Sequence, residues 1–339
     1  MSNMNPSTGV LLINLGTPDS PSVSAVRSYL SQFLNDPRVI DIPWISRKIL
    51  VNLIIVPFRA PKSAAIYKKL WTANGSPLLF HSENVKKLLQ ESLGEEYAVH
   101  LAMRYKNPSI PNIMEEMRKK NYKRIIVVPM FPQYASASTG SAHDEVMRVL
   151  RSWWVIPDVN FISQYWDHPT FIDALVARGK QYDINSYDHV LFSYHGLPRR
   201  QVDKVYDSGA CSDHDCEHEI TEENKFCYKA TCYATTRLLA TRLNIPQDRY
   251  TVCFQSRLDK AWLEPFSDQV VEECAKKGMK KILVFSPAFT ADCLETVIEI
   301  GDEYQHIFKE NGGEKVQLVE SLNEHPLWIK CLKEIVTKS

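Results

Sequence analysis

The sequence predicts an α/β protein of two similar domains, each a parallel sheet flanked by helices. Apolar stretches of strand length, such as 190–194, alternate with segments at 82–93, 110–120 and 266–277 whose apolar residues recur every three or four positions. Alternating strands and helices of this kind build parallel sheets. Because 339 residues exceed what one ordinary core holds, we expect two domains that face each other across a cleft.

Three pairs of matching segments follow one another in the same order, which indicates a duplicated unit. GVLLINLGTP matches HVLFSYHGLP, with Leu15 at the place that His195 holds in the second copy. KRIIVVP matches KKILVFSP, and DHP matches EHP, where a helix opens in each copy. We place the domains at 8–160 and 161–322, with a linker near 153–165. We expect a C-terminal helix at 323–339, which could pack back on the first domain.

The charge balance and the apolar runs of the sequence argue against some partners and locations. Lys plus Arg equals Asp plus Glu at 40 each, so electrostatics give no case for a nucleic acid. We expect no signal peptide and no segment that spans a bilayer, since no uninterrupted apolar run approaches roughly 20 residues, and we therefore expect a cytoplasmic protein. The oligomeric state stays open between monomer and homodimer.

The segment 42–58 is unusually apolar, with Trp44 among many Ile, Leu and Val residues. It is either a core helix or an exposed lip that touches a membrane surface or an apolar ligand. By length and charge we expect that it does not span a bilayer. Contact with the inner face of the membrane would therefore be peripheral.

His195 follows a predicted strand, at the edge of the sheet where α/β proteins bind ligands. In a predicted helix over 288–304, Glu295, Glu299 and either Asp302 or Glu303 recur every three or four residues. Crowded carboxylates raise one another's pKa and can relay protons or lead cations. For Glu295 alone, a capping box with Asp292 is the alternative.

The loop PQYASASTG places several small hydroxyl residues before a helix that begins near Ser141. The hydroxyl residues Ser136, Ser138, Thr139 and Ser141 could simply cap that helix. They could also help backbone N–H groups to hold an anionic or planar polar ligand.

Four of the eight cysteines form two Cys-x4-Cys pairs in a polar loop: Cys211, Cys216, Cys227 and Cys232. Clustered thiolates hold Zn²⁺ or an iron–sulfur cluster, and we favour a cluster over zinc. Free or transiently oxidised thiols are the alternative.

Together these motifs resemble the ferrochelatases. The resemblance runs nearly end to end, and its most specific stretches are FSYHGLP, FPQYASASTG, FQSRLDKAWLEP and ADCLETVIEI. It implies a chelatase-like fold of two Rossmann-like domains. It also implies a lyase that inserts Fe²⁺ into protoporphyrin IX, with release of two protons, as the last step of haem synthesis.

The resemblance also implies roles for individual residues. His195 and Glu295 would be catalytic and would meet the Fe²⁺ substrate from opposite walls, and Glu299 and Glu303 would continue an acidic relay. A histidine, with its near-neutral unperturbed pKa, suits a proton acceptor, and a role as metal ligand is equally open. Porphyrin contacts would come from Leu15, Arg59, Tyr67, Arg104, Tyr105, Tyr134, Ser136, Ser138, Thr139 and Trp262.

Three further features follow from the resemblance. Leu15 stands where the coproporphyrin-using branch tends to carry tyrosine, which favours protoporphyrin IX. Segment 42–58 looks like the apolar lip that touches the membrane in some members. The insert 207–232 resembles internal cysteines that hold a [2Fe–2S] cluster in some microbial members.

Several alternatives keep the same fold. The chain could be a coproporphyrin or cobalt chelatase, or a non-catalytic two-domain protein that binds a small molecule. A redox-responsive or iron-sensing regulator built on the cysteine loop is a third.

Overall fold

The computed structural model describes residues 6–339. Eight strands lie in this range: β1 Thr8–Gly16, β2 Tyr97–Tyr105, β3 Arg124–Pro129, β4 Asp158–Phe161, β5 His189–His195, β6 Tyr250–Gln255, β7 Lys281–Phe285 and β8 Lys315–Leu318.

Twelve α-helices lie in the same range. They are α1 Val23–Leu34, α2 Trp44–Ile49, α3 Val56–Leu70, α4 Pro77–Leu93, α5 Ile110–Lys120, α6 Ser141–Leu150, α7 Pro169–Gly179, α8 Arg199–Asp203, α9 Tyr228–Leu243, α10 Ser267–Lys276, α11 Gln305–Glu310 and α12 Pro326–Lys338. Three segments are π-helical: Leu50–Ile55, Ser136–Gly140 and Glu295–Tyr304.

The chain divides into two compact units. The first contains the described residues up to Phe131, together with Ser136–Ser163 and Ile329–Ser339. The second contains Pro132–Ala135 and Gln164–Trp328. The short piece Pro132–Ala135 therefore belongs to the second unit, although the residues on both sides of it belong to the first.

Each unit contains one four-stranded parallel sheet. The strand order is β2-β1-β3-β4 in the first unit and β6-β5-β7-β8 in the second, and every pairing is parallel. The two orders are the same when each unit's strands are counted from its own start. The predicted fold class is confirmed, and β1 and β5, which carry the matching sequence segments, occupy equivalent central positions.

The central strands are apolar on both faces because helices cover both sides of the sheet. In the first unit, Leu11, Ile13 and Val127 lie in one core cluster with Met114 and Val146 from the helices. The second unit builds an equivalent cluster. Rigid central strands of this kind fix the positions of the residues at their carboxyl ends.

Helices with a clear apolar period lie where the sequence predicts them. α5 has the predicted bounds, because the Ser109 hydroxyl accepts a hydrogen bond from the Asn112 amide at its start, and Asn121 ends it in the left-handed conformation. α10 begins one residue later than predicted and ends one residue earlier. α4 begins at Pro77, five residues before the predicted start.

The structure adds detail to two predicted segments. The division between the two units falls after Ser163, within the expected linker 153–165, and this stretch also includes the short, partly exposed edge strand β4. Most of the apolar segment 42–58 lies in a longer helical run, which continues from Trp44 to Leu70 through Pro57 and Pro61. A helical proline removes one hydrogen bond, and here the buried Ala60 and Ala64 anchor the turns that follow.

Candidate active site

His195 is the last residue of β5 and is half-buried. Its Nδ1 lies 2.6 Å from the carbonyl oxygen of Gly196. A carbonyl oxygen only accepts hydrogen bonds, so Nδ1 carries the hydrogen and Nε2 of the neutral ring keeps its lone pair. The structure thus presents His195 as a base or ligand through Nε2.

Two aromatic rings, from the loops after β6 and β7, lie near this imidazole. The centroids of Trp262 and Phe289 lie 6.5 and 6.4 Å from that of His195. Trp262 is positioned by the backbone, since Leu263 donates to Leu197 and the Gly196 amide donates to Gln255, at 2.9 and 2.8 Å. A Cβ on Gly196 would lie 2.8 Å from the Gln255 carbonyl oxygen, so only glycine fits this close approach.

Gln255 connects the histidine's strand to the acidic residues. It lies opposite His195 in the β5–β6 register and is 1 % exposed. Its amide nitrogen donates to the backbone oxygen of Glu295 at 3.0 Å and to the Glu299 carboxylate at 3.1 Å. Its amide oxygen accepts from the Ser193 hydroxyl at 2.8 Å. One buried side chain therefore fixes β5, β6 and the acidic helix against each other.

Glu299 is the most constrained of the acidic residues. Its carboxylate accepts from the Ser256 amide at 2.8 Å, from the Tyr304 hydroxyl at 3.2 Å, and from the Ser256 hydroxyl and Gln255. Burial, and then the charge of Glu299, raise the pKa of Tyr304 far above its usual range, so the phenol stays a neutral donor. Four donors therefore hold this one carboxylate in place.

The acidic row follows a π-helix and not the predicted α-helix. The π-helical segment Glu295–Tyr304 widens the turn, and helices of this type often occur at functional sites. Glu295 and Glu299 are half-buried, whereas Glu303 is exposed. The capping box between Asp292 and Glu295 is wrong, because the Asp292 carboxylate instead accepts from the Asn323 amide at 2.8 Å.

A second polar cluster lies in the first unit around a buried carboxylate. Asp36, 5 % exposed, accepts from Arg104 at 2.6 Å, from the Tyr105 hydroxyl at 2.9 Å and from the Ser141 hydroxyl at 2.6 Å. Burial and the nearby charge of Asp36 raise the pKa of Tyr105 well above its usual range. Arg104 and Tyr105 were predicted as site residues, and Ser141 was among the hydroxyl residues of the predicted loop, whereas Asp36 was not predicted.

The predicted hydroxyl loop joins this cluster through a second arginine. Arg38 donates to the Ser136 hydroxyl at 3.0 Å, and its backbone amide donates to Asp36 at 2.7 Å. The loop adopts a π-helical turn before α6. Neither Arg38 nor Asp36 carries a periodic signal in the sequence, although the turn Asn-Asp-Pro around Asp36 marks a loop after α1.

The family model for ferrochelatase matches residues 7–339. The chain belongs to the ferrochelatase family. Curated ferrochelatases agree with this: one from Coxiella burnetii is 43 % identical over 99 % of this chain and 94 % of its own length. One from Legionella pneumophila is 44 % identical over 97 % of this chain and 98 % of its own. The family's reaction, insertion of Fe²⁺ into a porphyrin by a lyase in haem synthesis, is thus the activity of this chain.

Solved chelatase structures share the fold. The structure described as SirB from Bacillus subtilis with Fe³⁺ has a TM-score of 0.54 and 14 % identity, over 98 % of this chain and 95 % of that one. A sirohydrochlorin chelatase SirB from Bacillus subtilis subspecies spizizenii, in complex with cobalt, gives 0.52 and 12 %, over 98 % of this chain and 94 % of that one. At this identity the likeness concerns the fold alone.

The other porphyrin contacts that the ferrochelatase resemblance implies occupy varied environments. Arg59 is exposed on α3, and Tyr67 is 8 % exposed with its ring 6.2 Å from that of Tyr29. Tyr134 packs against Phe226 at 5.9 Å. Leu15 and Ser138 are half-buried, and Thr139 is fully buried.

The lip of this ferrochelatase, defined as Trp44–Phe58, is exposed. Leu53 is 68 % exposed and Phe58 is 75 % exposed. At least half of the surface of four further side chains is also exposed: Trp44, Ile45, Ile49 and Ile54. The opposite side is tied to α1, since Asn52 accepts from Ser31 at 2.9 Å. The helical run Trp44–Leu70, which is longer than the predicted apolar segment 42–58, is long and apolar enough to cross a membrane by length and composition alone.

The four cysteines of the ferrochelatase insert do not come together as a set. The sulfur atoms of Cys211, Cys216 and Cys227 lie within 4.8 Å of one another, and Cys232 is not part of this group. A [2Fe–2S] cluster is held by four cysteines, two on each iron, so sulfurs on different irons lie farther apart than the two sulfurs on one iron. Three mutually close sulfurs do not fit that pattern, so the donor set disagrees with the cluster that the resemblance implies.

Proposed function

We propose that the porphyrin substrate of this chain is protoporphyrin IX and that the second unit supplies the proton-accepting and metal-directing groups. The observation that carries the proposal is the Gln255 amide, which joins the strand end bearing His195 to Glu295 and Glu299. A base and a fixed acidic row at one sheet edge suit a reaction that removes two protons and admits a cation.

We assign His195 the role of proton acceptor. A porphyrin presents two N–H groups at its centre, and metal insertion requires both protons to leave. The lone pair on Nε2, kept available by the Nδ1 hydrogen bond to Gly196, supports this role. The flanking rings of Trp262 and Phe289 offer apolar faces that suit a flat macrocycle.

We assign Glu295 and Glu299 different tasks. Glu299 is saturated with donors, which supports a fixed negative charge that attracts Fe²⁺ and stabilises protonated His195. Glu295 is held through its backbone oxygen, and its carboxylate offers an oxygen ligand or a landing site for protons. Glu303, exposed at the outer end of the π-helix, would pass protons to water.

No step is routed through an iron–sulfur cluster, because the cysteine geometry does not fit one. We also propose the porphyrin contacts that the ferrochelatase resemblance implies in the first unit, which include Arg59, Tyr67 and Arg104. We further propose a cytoplasmic location. The exposed apolar side chains of Leu53 and Phe58 support a peripheral contact of the lip with the inner face of the membrane.

The choice of porphyrin is tested by comparing two substrates. With Fe²⁺ and no oxygen, we expect kcat/KM for protoporphyrin IX to exceed that for coproporphyrin roughly tenfold or more, since coproporphyrin would bury two additional carboxylates. Leu15→Tyr should narrow this ratio, and Leu15→Met serves as the size-matched control. Equal or reversed preference in the unchanged protein would refute the assignment of protoporphyrin IX.

A further inference from the structure

Three sulfur atoms in the loop between α8 and α9 form a nearly regular triangle. The Sγ–Sγ distances are 3.6 Å for Cys211–Cys216, 3.5 Å for Cys211–Cys227 and 3.8 Å for Cys216–Cys227. All three residues are buried, at 7 %, 1 % and 0 % exposed. The separations are far longer than the roughly 2.05 Å of a disulfide, so the thiols are not bonded to each other.

The size of the triangle matches one face of a tetrahedron around a single metal ion. A zinc–sulfur bond of about 2.3 Å in tetrahedral geometry places the sulfurs about 3.8 Å apart. The three measured edges lie within a few tenths of an ångström of that value. The triangle is therefore the right size for one ion and too small for two bridged irons.

The remaining side of the triangle is closed by a tyrosine. The Tyr206 hydroxyl lies 3.1 Å from the Cys216 sulfur, and the Tyr206 ring stacks on His214 with centroids 4.1 Å apart. Cys232, in contrast, is fully buried on α9 and lies outside the group of mutually close ligand atoms. The polar group beside the three sulfurs is thus the Tyr206 hydroxyl and not the Cys232 sulfur.

The surroundings of the triangle include the start of a helix and a loop amide. Cys227 is the N-cap of α9, where the helix dipole stabilises a negative charge. The Asn224 amide reaches toward the Cys216 sulfur at 3.9 Å and donates to the Glu219 carbonyl at 3.1 Å, which shapes the loop around the sulfurs.

We propose that Cys211, Cys216 and Cys227 bind one Zn²⁺ ion as thiolates, with the Tyr206 hydroxyl facing its fourth coordination position, and that Cys232 is not a ligand. Each cysteine that binds as a thiolate releases its proton to solvent, and no redox partner is needed. Thiolates prefer Zn²⁺ to the oxygen-seeking divalent ions. The site is independent of the porphyrin reaction.

The ion would act as a structural crosslink. Apart from the short turn Cys211–Asp213, residues 204–227 have no regular secondary structure, so the three sulfurs supply a local core. The site also anchors the start of α9, and Thr236 of α9 hydrogen-bonds the Tyr194 hydroxyl at 2.9 Å. Tyr194 directly precedes His195, so metal loss should loosen the helix that packs on the histidine's strand.

The test is metal analysis of full-length protein expressed with zinc and purified without oxygen, so that any iron–sulfur cluster survives. We expect one zinc per chain, no labile sulfide and a colourless protein. Cys232→Ala should keep the zinc, whereas Cys216→Ser should lose it and become more sensitive to protease within 204–227. Two irons with sulfide and visible absorbance, loss of metal in Cys232→Ala, or zinc retained in Cys216→Ser would each overturn the proposal.

A second measurement uses the unchanged chain, in case Cys216→Ser fails to fold. A zinc chelator should release one zinc, make three further thiols reactive toward a thiol reagent under native conditions, and lower the melting temperature. Re-adding Zn²⁺ should reverse all three changes. If chelation releases no zinc or exposes no thiol, the three-thiolate site is wrong.

Discussion

Gln255 shows how a residue without titratable chemistry can organise a catalytic site. It is buried in a strand among apolar neighbours, and every polar atom of its amide is used. Its partners Glu295 and Glu299 are 40 and 44 residues away in the chain. The tautomer of His195 does not depend on Gln255, because the hydrogen on Nδ1 is held by the carbonyl oxygen of the adjacent Gly196.

Replacing Gln255 with leucine should show whether Gln255 positions the acidic residues without contributing to porphyrin binding. Gln255→Leu removes the donor to Glu299 and leaves buried polar partners unpaired, so we expect kcat to fall roughly tenfold to hundredfold while KM for porphyrin changes little. The free energy of unfolding should also fall by about 1–3 kcal/mol. Steady-state kinetics and urea unfolding measure the two effects.

Gln305→Leu is the matched control for that variant. Gln305 also makes two hydrogen bonds to the backbone in the second unit, at 3.2 and 2.9 Å, but it contacts neither Glu295 nor Glu299. It should lower stability without the loss in kcat. If the two variants lose kcat equally, Gln255 has only a structural role.

The sequence predicted some site residues and missed others for a physical reason. His195 is recognisable because it follows an apolar strand and precedes a glycine turn, and Glu299 because it repeats along a helix. Gln255 and Asp36 are single polar residues in an apolar strand and a turn. Their importance lies in hydrogen bonds to residues 40 to 105 positions away, which no local pattern records.

At the scale of elements, local periodicity predicted regular helices and failed where backbone geometry depends on packing. α5 has its predicted bounds, whereas the acidic segment is π-helical and the lip helix continues past two prolines. α9 was not predicted because small residues such as Ala230, Thr231 and Thr235 are buried around most of its circumference, which leaves no apolar stripe.

The lip should determine how strongly the protein binds a lipid surface. Leu53→Ser combined with Phe58→Ser removes two large exposed side chains, and each would contribute about 1.5–3 kcal/mol if fully buried. We expect at least tenfold weaker co-sedimentation with phosphatidylethanolamine–phosphatidylglycerol vesicles, with haem synthesis in detergent less affected.

Trp154→Ser provides the control for a generally apolar surface, because Trp154 is fully exposed but lies outside the lip. It should bind vesicles like the unchanged protein. Equal vesicle binding by all three proteins would mean that the lip does not contact lipid.

At the scale of the whole molecule, two copies of one topology have diverged. Both sheets have the same strand order, and β1 and β5 occupy the same position, yet β1 carries Leu15 near its end where β5 carries His195. The second copy also holds Gln255 and the π-helical acidic row. The duplication was visible in the sequence because the two copies share strand and turn residues, whereas His195, Gln255 and the acidic row belong to the second unit.

The central claim is that the second unit inserts Fe²⁺ into protoporphyrin IX with His195 as proton acceptor. The most direct test mixes purified protein with both substrates without oxygen and follows the haem spectrum, with porphyrin binding measured separately by fluorescence. We predict haem formation by the unchanged protein, and a loss of at least about hundredfold in His195→Ala with porphyrin affinity retained. Normal turnover by His195→Ala, or no haem from the unchanged protein, would contradict the account.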